Sequence, residues 1–156
     1  MTTTVDPSVT DLWHAFTQQH PKYKQENLPE SWYFCDNKKD ADECATLVVK
    51  GIKRATATSL WWFKKHNEAL PEVGNIYIVT NWGGKAKAII ETTQIDLVPY
   101  NEVTEEFAAT EGEGDKSLAF WKRVHWDYYS REMEPEGESP TEDMIIVCEQ
   151  FKTIWK

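Results

Sequence analysis

The sequence predicts an α+β domain built on a mostly antiparallel β-sheet. Apolar residues recur at intervals of three and four in residues 40–50 and 115–133, which is typical of helices with one buried face. Residues 75–97 instead alternate with a period of two on both sides of a glycine pair, as the strands of a β-hairpin do. A last apolar run over residues 144–154 predicts a buried strand.

The first fifty residues predict two helices and one short strand. An N-terminal helix, capped by Ser8 or Thr10, places three apolar residues on one face, namely Leu12, Trp13 and Phe16. A short strand follows at residues 31–35. The helix over residues 40–50 ends at Gly51, because glycine tolerates the left-handed conformation that closes a helix.

Residues 51–59 are expected to form a turn that joins this helix to the next one. Thr58 or Ser59 can cap that next helix, which is expected to run from Leu60 to about Ala69. Further along, residues 101–109 predict a short acidic helix.

The long helix is predicted between two polar loops. The sequence Glu-Gly-Glu-Gly-Asp at 111–115 predicts a flexible loop, whose Asp115 caps a helix that reaches about Met133. One face of this helix carries a continuous stripe formed by Leu118, Trp121, Val124, His125, Tyr128 and Tyr129. A solvated loop over 134–140 then precedes the last strand.

Length and composition favour one folded domain of 156 residues. A content of 40% hydrophobic and 13% aromatic residues is too high for a disordered chain. No apolar run reaches the roughly 18 residues that span a bilayer, and the first residues lack the pattern of a signal peptide, so we expect a cytoplasmic protein. Three widely spaced cysteines argue against a disulfide framework and a zinc ribbon (Cys35, Cys44 and Cys148).

The net charge of −9 argues against binding to polyanions, but the charges are unevenly distributed. Between Lys50 and Lys87 there are seven bases and two acids, which gives +5, whereas Asn101 to Gln150 contains fourteen acids and four bases. The basic window also contains aromatic residues, which suits the stacked bases of a single-stranded nucleic acid (Trp61, Trp62, Phe63 and Trp82). The alternative is that these charges are simply solvated.

Several familiar catalytic motifs are absent, including a dinucleotide-binding glycine loop, a Walker loop, His-Glu-x-x-His and Gly-x-Ser-x-Gly. The four histidines have no metal-ligand spacing. His125 lies within the aromatic stripe of the long helix, so we expect it to be packed or hydrogen-bonded rather than catalytic.

The segment from Gly51 to Ser59 is the most suggestive of chemistry. Its amides and hydroxyls can converge on an anion, and Lys53 and Thr56 can share one side of a tight turn. A lysine desolvated beside Arg54 can act as a base, with the Thr56 hydroxyl as the nucleophile. The alternative is a helix cap with a solvated lysine.

Acidic residues at two further places are candidates for the same site. Glu91 interrupts an apolar strand, so it is expected either to pair with a buried cation, with Lys53 as the partner, or to perform acid–base chemistry. The acids of the 111–115 loop can hold Mg²⁺, which prefers oxygen ligands, but glycine-spaced acids are more typical of a solvated loop (Glu111, Glu113 and Asp115).

The pattern Gly-x-Lys-x-x-Thr at Gly51, Lys53 and Thr56 resembles the motif of the ASCH family (activating signal cointegrator homology), in its long bacterial branch. The similarity spans about Trp32 to Phe151 and includes Trp32-Tyr-Phe, Ile90-Glu-Thr-Thr, Pro99-Tyr-Asn-Glu-Val, Glu111-Gly-Glu-Gly-Asp-Lys-Ser-Leu, Trp121, His125 and Glu142-Asp-Met. The resemblance implies a PUA-like fold, which is a small curved β-barrel with surrounding helices. It implies a single such domain over residues 1–156, with 1–30 as an N-terminal helical extension.

The resemblance also implies RNA or nucleoside ligands. Small bacterial members remove the acyl group of N4-acetylcytidine with a lysine, a threonine and a glutamate, which correspond here to Lys53, Thr56 and Glu91. No cofactor is expected for this reaction. Four further residues are expected to bind the substrate: Gly51 through its following amides, Arg54 at a phosphate, and Tyr33 and Trp61 by stacking on the pyrimidine.

Two other functions stay open. Other members of the long branch resemble Mg²⁺-dependent ribonucleases acting on single strands, in which Lys53 and Arg54 would bind phosphate and acids such as Glu91 would hold the metal. A non-catalytic reader of RNA is the third possibility. We favour amide hydrolysis because a Lys-x-x-Thr pair suits covalent chemistry. The expected partner is a nucleoside or single-stranded RNA, with no membrane surface and no specific protein partner.

Overall fold

The computed structural model describes residues 5–156, which contain five α-helices and five β-strands. The helices are α1 (Pro7–Gln19), α2 (Lys38–Val49), α3 (Leu60–Lys65), α4 (Glu105–Glu111) and α5 (Leu118–Met133). The strands are β1 (Ser31–Trp32), β2 (Ala55–Ser59), β3 (Ile76–Thr80), β4 (Ala86–Pro99) and β5 (Ile145–Trp155). Short 3-10 helices lie at Pro21–Tyr23, Tyr100–Glu102 and Glu134–Glu136.

The five strands form one mixed sheet in the order β1-β3-β4-β5-β2. β1 pairs with β3 in parallel, whereas β3 pairs with β4 and β2 pairs with β5 in antiparallel orientation. Within residues 5–156 the order is not closed, since β1 and β2 are its two ends. The α+β class and the hairpin are therefore confirmed, and the implied barrel corresponds to an open five-stranded sheet.

The helices begin at side-chain caps close to those predicted. Ser59 caps α3 as expected, because its hydroxyl accepts a hydrogen bond from the amide of Trp62. α1 is capped by Asp6 rather than by Ser8 or Thr10. α5 begins two residues later than predicted, because Ser117 is its cap and Asp115 instead accepts a hydrogen bond from the Ser117 amide.

Two elements are shorter than predicted because the backbone turns into the left-handed region. The strand expected over 31–35 ends at Trp32, and Cys35 has φ 69°. The helix expected to reach Ala69 ends at Lys65, and Asn67 has φ 52°. Gly51 has φ 74°, which confirms its predicted role after α2.

The prediction of a turn over residues 51–59 was wrong. Residues Ala55–Ser59 form strand β2, in which alanine and serine are buried and the two threonines are half-buried. Such alternation is the period of a strand, and small residues allow it to pair closely with β5. Lys53 and Thr56 therefore do not share one side of a tight turn.

The described residues fall into two compact units. The first unit comprises the described residues up to Gly51 together with Gly74–Glu91 and Lys152–Lys156, and its core contains Val9, Trp13, Phe16, Ile78 and Ile89. The second unit comprises Ile52–Val73 and Thr92–Phe151. Its core contains Ala57, Tyr100, Val103, Ala108, Trp121, Tyr129, Met133, Ile146 and Cys148.

Within the described residues 5–156 none of the three cysteines forms a disulfide. Cys148 lies opposite Ala57 in the β2–β5 pair and is buried in the core of the second unit. Burial, with a smaller contribution from the charge of Glu111, raises the pKa of Cys148 to about 12. This thiol is therefore protonated and unreactive while the core is closed.

No helix among the described residues is both long enough and apolar enough to cross a membrane.

Candidate functional site

A buried ammonium group lies at the centre of the second unit's polar cluster. The Lys53 side chain is 1% exposed. Its Nζ donates hydrogen bonds to Glu111 Oε2 at 2.7 Å, to Glu113 Oε2 at 2.9 Å and to the Ala55 carbonyl at 2.7 Å. Three acceptors thus replace the water that an ammonium loses on burial, which is the condition for keeping a charge inside a protein.

The local backbone explains how one lysine meets two glutamates. The Arg54 amide donates to the Thr110 carbonyl, and the Arg54 carbonyl accepts from Phe151, which fixes the chain beside Lys53. Helix α4 ends at Glu111, and Gly112 follows with φ 73°. A Cβ atom at Gly112 would lie 2.5 Å from the Ile52 carbonyl oxygen, so only glycine fits this turn.

The second oxygen of Glu111 connects the ammonium to helix α5. Glu111 Oε1 accepts a hydrogen bond from Trp121 Nε1 at 3.0 Å and lies 3.1 Å from His125 Nε2. His125 Nδ1 lies 2.8 Å from the Trp121 carbonyl, and its ring stacks on Trp121 with the centroids 4.1 Å apart. Because both ring nitrogens face acceptors, the protonated imidazolium form satisfies both. The expectation of a packed, hydrogen-bonded His125 is confirmed.

The three titratable partners of this cluster have shifted pKa values. Burial alone would raise the pKa of Glu111, but the charges of Lys53 and His125 outweigh it and hold that pKa well below its usual value. Burial raises the pKa of Glu113, assisted by the neighbouring charge of Glu111 and opposed by Lys53. Burial would lower the pKa of His125, but the charge of Glu111 outweighs it and raises that pKa. The cluster therefore favours an ionised Glu111 with protons held on its neighbours.

The cluster also covers the outer edge of the sheet in the second unit. β2 ends the strand order, so alternate carbonyls along it have no neighbouring strand to pair with. Lys53 Nζ binds the Ala55 carbonyl, and the Tyr129 hydroxyl donates to the Ala57 carbonyl at 2.8 Å. Lys53 and Tyr129 thus satisfy two carbonyls of an edge that is otherwise open to strand addition.

Thr56 projects from the face of β2. In the antiparallel pairing with β5 its register partner is Glu149, a buried carboxylic acid. Glu149 Oε2 accepts a 2.6 Å hydrogen bond from the Thr92 hydroxyl on β4. Burial raises the pKa of Glu149, although the Thr92 hydrogen bond partly opposes the shift.

The other predicted site residues are divided between the two units. Arg54 and Trp61 belong to the second unit with Lys53 and Thr56. Arg54 is exposed. The Trp61 ring packs against the core, and its Nε1 donates to Glu138 at 3.0 Å.

Gly51, Tyr33 and Glu91 belong to the first unit. The Tyr33 ring is exposed and contacts Trp82, with 4.8 Å between the centroids. Glu91 forms an ion pair of 3.3 Å with Lys152. The acids bound to Lys53 are thus Glu111 and Glu113, and a catalytic role for Glu91 stays a prediction.

Sequence reasoning did not identify these two glutamates as the partners of the lysine. They follow Lys53 by 58 and 60 residues, and a Glu-Gly-Glu stretch is typical of solvent-exposed loops. The useful signal was the neighbouring stripe with Trp121 and His125, since two hydrogen-bond donors facing a core need an acceptor.

Much of the basic window is neutralised locally. Lys53 is bound by two acids, Lys65 pairs with Glu138 at 2.9 Å, and Lys85 pairs with Asp6 at 3.1 Å. The six bases of the window other than Lys53 are exposed, namely Lys50, Arg54, Lys64, Lys65, Lys85 and Lys87.

The residues of the cluster do not fit Mg²⁺ as they are arranged. Ligand atoms of Glu111, Glu113 and His125 lie within 4.8 Å of one another. However, the Lys53 ammonium binds both carboxylates at less than 3 Å, where it repels a second cation. Mg²⁺ also prefers an octahedral shell of oxygen atoms over an imidazole.

Comparisons with known proteins agree on one family. The model of the ASCH domain matches residues 30–155. The crystal structure of an ASCH domain from Lactobacillus crispatus JV V101 is 36% identical with a TM-score of 0.90, and the match covers 97% of both chains. Protein EF3133 from Enterococcus faecalis V583 is 31% identical with a TM-score of 0.86, covering 95% of this chain and 88% of that one. The comparison with curated proteins gives no match.

Proposed function

Because the chain belongs to the ASCH domain family, we propose that it binds RNA or a nucleoside and hydrolyses the acyl amide of N4-acylated cytidines. ASCH domains are PUA-like and generally bind RNA, and some members are hydrolases. The substrate and the reaction are the parts that we propose.

The observation that carries the proposal is the buried cluster of Lys53, Glu111, Glu113 and His125. A structural ion pair needs one carboxylate, whereas this ammonium holds two, and one of them also binds an imidazole. Coupled titratable groups with shifted pKa values are concentrated at sites of proton transfer. The cluster supports acid–base chemistry of the kind that amide hydrolysis requires.

The geometry favours a fixed-cation role for Lys53 over the role of a free base. All three of its N–H groups are used, and its side chain is almost fully buried. Glu113 is 21% exposed and has a raised pKa, so it is the acid of the cluster with access to a ligand. Lys53 and Glu111 then hold Glu113 in place and set its protonation.

The proposed reaction proceeds in two steps. The Thr56 hydroxyl oxygen attacks the acyl carbon and loses its proton to a base, and the C–N bond breaks as Glu113 gives a proton to the departing amine of cytidine. Water then attacks the acyl ester on Thr56 and gives a proton to the Glu113 carboxylate, while the base returns its proton to the Thr56 oxygen, so that the carboxylic acid is released and the threonine hydroxyl is restored. The products are cytidine and a carboxylic acid.

The test incubates the protein with N4-acetylcytidine and, separately, with single-stranded RNA, each with and without EDTA. We expect cytidine and acetate by mass spectrometry, at the same rate in EDTA. RNA fragments that disappear in EDTA would instead support the ribonuclease. Salt-dependent RNA binding with neither product would support a non-catalytic reader.

Glu113→Gln is the variant that tests the cluster. We expect kcat for N4-acetylcytidine to fall by about 10²- to 10⁴-fold, because the amide cannot donate the proton to the leaving amine. Glu105→Gln, at an exposed position of α4, is the control and should keep the wild-type rate. Equal rates for both variants would remove Glu113 from the mechanism.

A further inference from the structure

Thr56 and Glu149 share one face of the sheet in the second unit. They are register partners in the antiparallel β2–β5 pair, and residues directly opposite each other point to the same side. Their Cβ atoms are therefore about 4.5–5.5 Å apart, which places a glutamate carboxyl within reach of a threonine hydroxyl. The neighbours Ala57 and Cys148 point to the opposite face, into the core.

Both groups keep an uncommitted oxygen. Within residues 5–156 the Thr56 hydroxyl makes no hydrogen bond. Glu149 uses Oε2 for the Thr92 hydroxyl, and in the same residues its Oε1 has no hydrogen-bond partner. The Thr92 hydroxyl is the group that fixes the orientation of the carboxyl, and it leaves Oε1 without a hydrogen bond.

The surroundings suit a carboxyl group that exchanges a proton. Glu149 is 8% exposed and Thr92 is 1% exposed, so the acid lies in a poorly solvated position that still reaches solvent. An ion pair for this carboxylate is absent from the described residues. A glutamate that lies in solvent needs no hydroxyl group to orient its carboxyl, whereas Glu149 is oriented by Thr92.

We propose that Glu149 is the base that activates Thr56, a role that rests on the proposed acyl transfer. As the Thr56 oxygen bonds to the acyl carbon, its proton passes to Glu149 Oε1. In the second step Glu149 returns this proton to the Thr56 oxygen as the ester bond breaks, while the Glu113 carboxylate left by the first step accepts a proton from the attacking water as the new C–O bond forms. Both carboxyl groups thereby return to their starting states.

The experiment follows the transfer of an acetyl group to Thr56 from p-nitrophenyl acetate, which requires no recognition of cytidine. We expect wild-type protein to gain one acetyl group, located at Thr56 by peptide mapping after an acid quench. Glu149→Gln keeps the size of the side chain and an acceptor for Thr92, and should slow this transfer at least ~100-fold. Thr58→Ala, on the same face of β2, is the control that should acetylate at the wild-type rate.

The outcomes separate this inference from the proposed function. Wild-type rates of Thr56 acetylation in Glu149→Gln, or no acetylation of Thr56 in the wild type, would overturn the role of Glu149. Acetylation of Thr56 that depends on Glu149, without any hydrolysis of N4-acetylcytidine, would support the role of Glu149 and reject the proposed substrate.

Thr92→Val gives a readout that a purely structural glutamate would not change. The Thr92 hydrogen bond lowers the pKa of Glu149, so its removal should raise that pKa further. The acid limb of the pH–rate profile for acetylation should then move to higher pH while the plateau rate stays the same. An acid limb at an unchanged pH, in a variant whose circular dichroism is that of the wild type, would contradict the proposal.

Discussion

Two lysines of the second unit form ion pairs of nearly equal length in very different surroundings. Lys53 lies 2.7 Å from Glu111 and is 1% exposed, whereas Lys65 lies 2.9 Å from Glu138 and is 42% exposed. The exposed pair exchanges contacts with water for contacts with each other and gains little. The buried pair would leave an uncompensated charge if either partner were lost. The contribution of an ion pair to folding therefore depends on burial, which the N···O distance does not report.

The largest expected difference comes from removing each lysine. Lys53→Met should lower the free energy of unfolding by about 3–5 kcal/mol, because the buried charge of Glu111 would lose the nearer of its two cationic partners. Lys65→Met should leave the free energy of unfolding almost unchanged and should remove only a salt-sensitive contact. Urea denaturation of both variants at pH 7 measures the two losses.

A double variant distinguishes the charge from the packing in this comparison. Adding Glu111→Gln to Lys53→Met should recover part of the lost stability, since both buried charges are then removed. Equal and small losses of stability in Lys53→Met and Lys65→Met would contradict the expected difference between the two ion pairs, and would show that water reaches Lys53.

The next largest effect is expected from the indole N–H of Trp121 on α5, which donates a hydrogen bond to the buried carboxylate of Glu111. Trp121→Phe removes the indole N–H from Glu111 and should lower the free energy of unfolding by about 2 kcal/mol. Trp126→Phe is the matched control on the same helix, with a half-buried ring in the same core. Urea midpoints of the two variants provide the comparison, and a larger loss for Trp126→Phe would mean that ring packing dominates.

The smallest effect expected is the pH dependence from His125. Its folded pKa is raised above the usual 6.5, so its stabilising contribution is complete below pH 6.5 and is lost as pH rises through the folded value. Wild-type stability should therefore fall on the alkaline side of 6.5 relative to His125→Gln, by no more than about 1.4 kcal/mol per pH unit for one proton.

Glu111 acts in the opposite sense and at lower pH. Its folded pKa is lowered, so its contribution is present above about pH 4.5 and disappears as pH falls through the folded value. Urea midpoints from pH 3 to pH 9 measure both limbs. If the urea midpoints of His125→Gln and of the wild type change in parallel above pH 6.5, His125 carries no proton in the folded cluster.

Most of the fold could be predicted because its elements follow strong local rules. The glycine-paired hairpin, the stripe of α5 and the apolar run of β5 each repeat a pattern over eight or more residues. β2 was missed because its five small and polar residues resemble a capped turn, and they become a strand only by pairing with β5.

The candidate site was predictable only in part. The lysine and the threonine belong to one short motif that is visible in the sequence, but the strand conformation of Ala55–Ser59 overturns the predicted turn that would have put them on one side. Glu111, Glu113 and Glu149 are brought to them by helix termination and strand register, which no local pattern specifies. His125 was predicted correctly as a packed residue because its helical stripe is visible in the sequence, but its acceptor is not.

The buried thiol of Cys148 is a native probe of how often the strands around it separate. With a pKa of about 12 it forms almost no thiolate while its surroundings are closed, so alkylation by iodoacetamide at pH 8 must wait for the strands around it to separate. Because Cys148 is the register partner of Ala57 and the residue before Glu149, the rate of its modification counts how often the β2–β5 pair opens. Peptide-resolved mass spectrometry can therefore follow the lifetime of the closed strand pair in a protein that carries no added label.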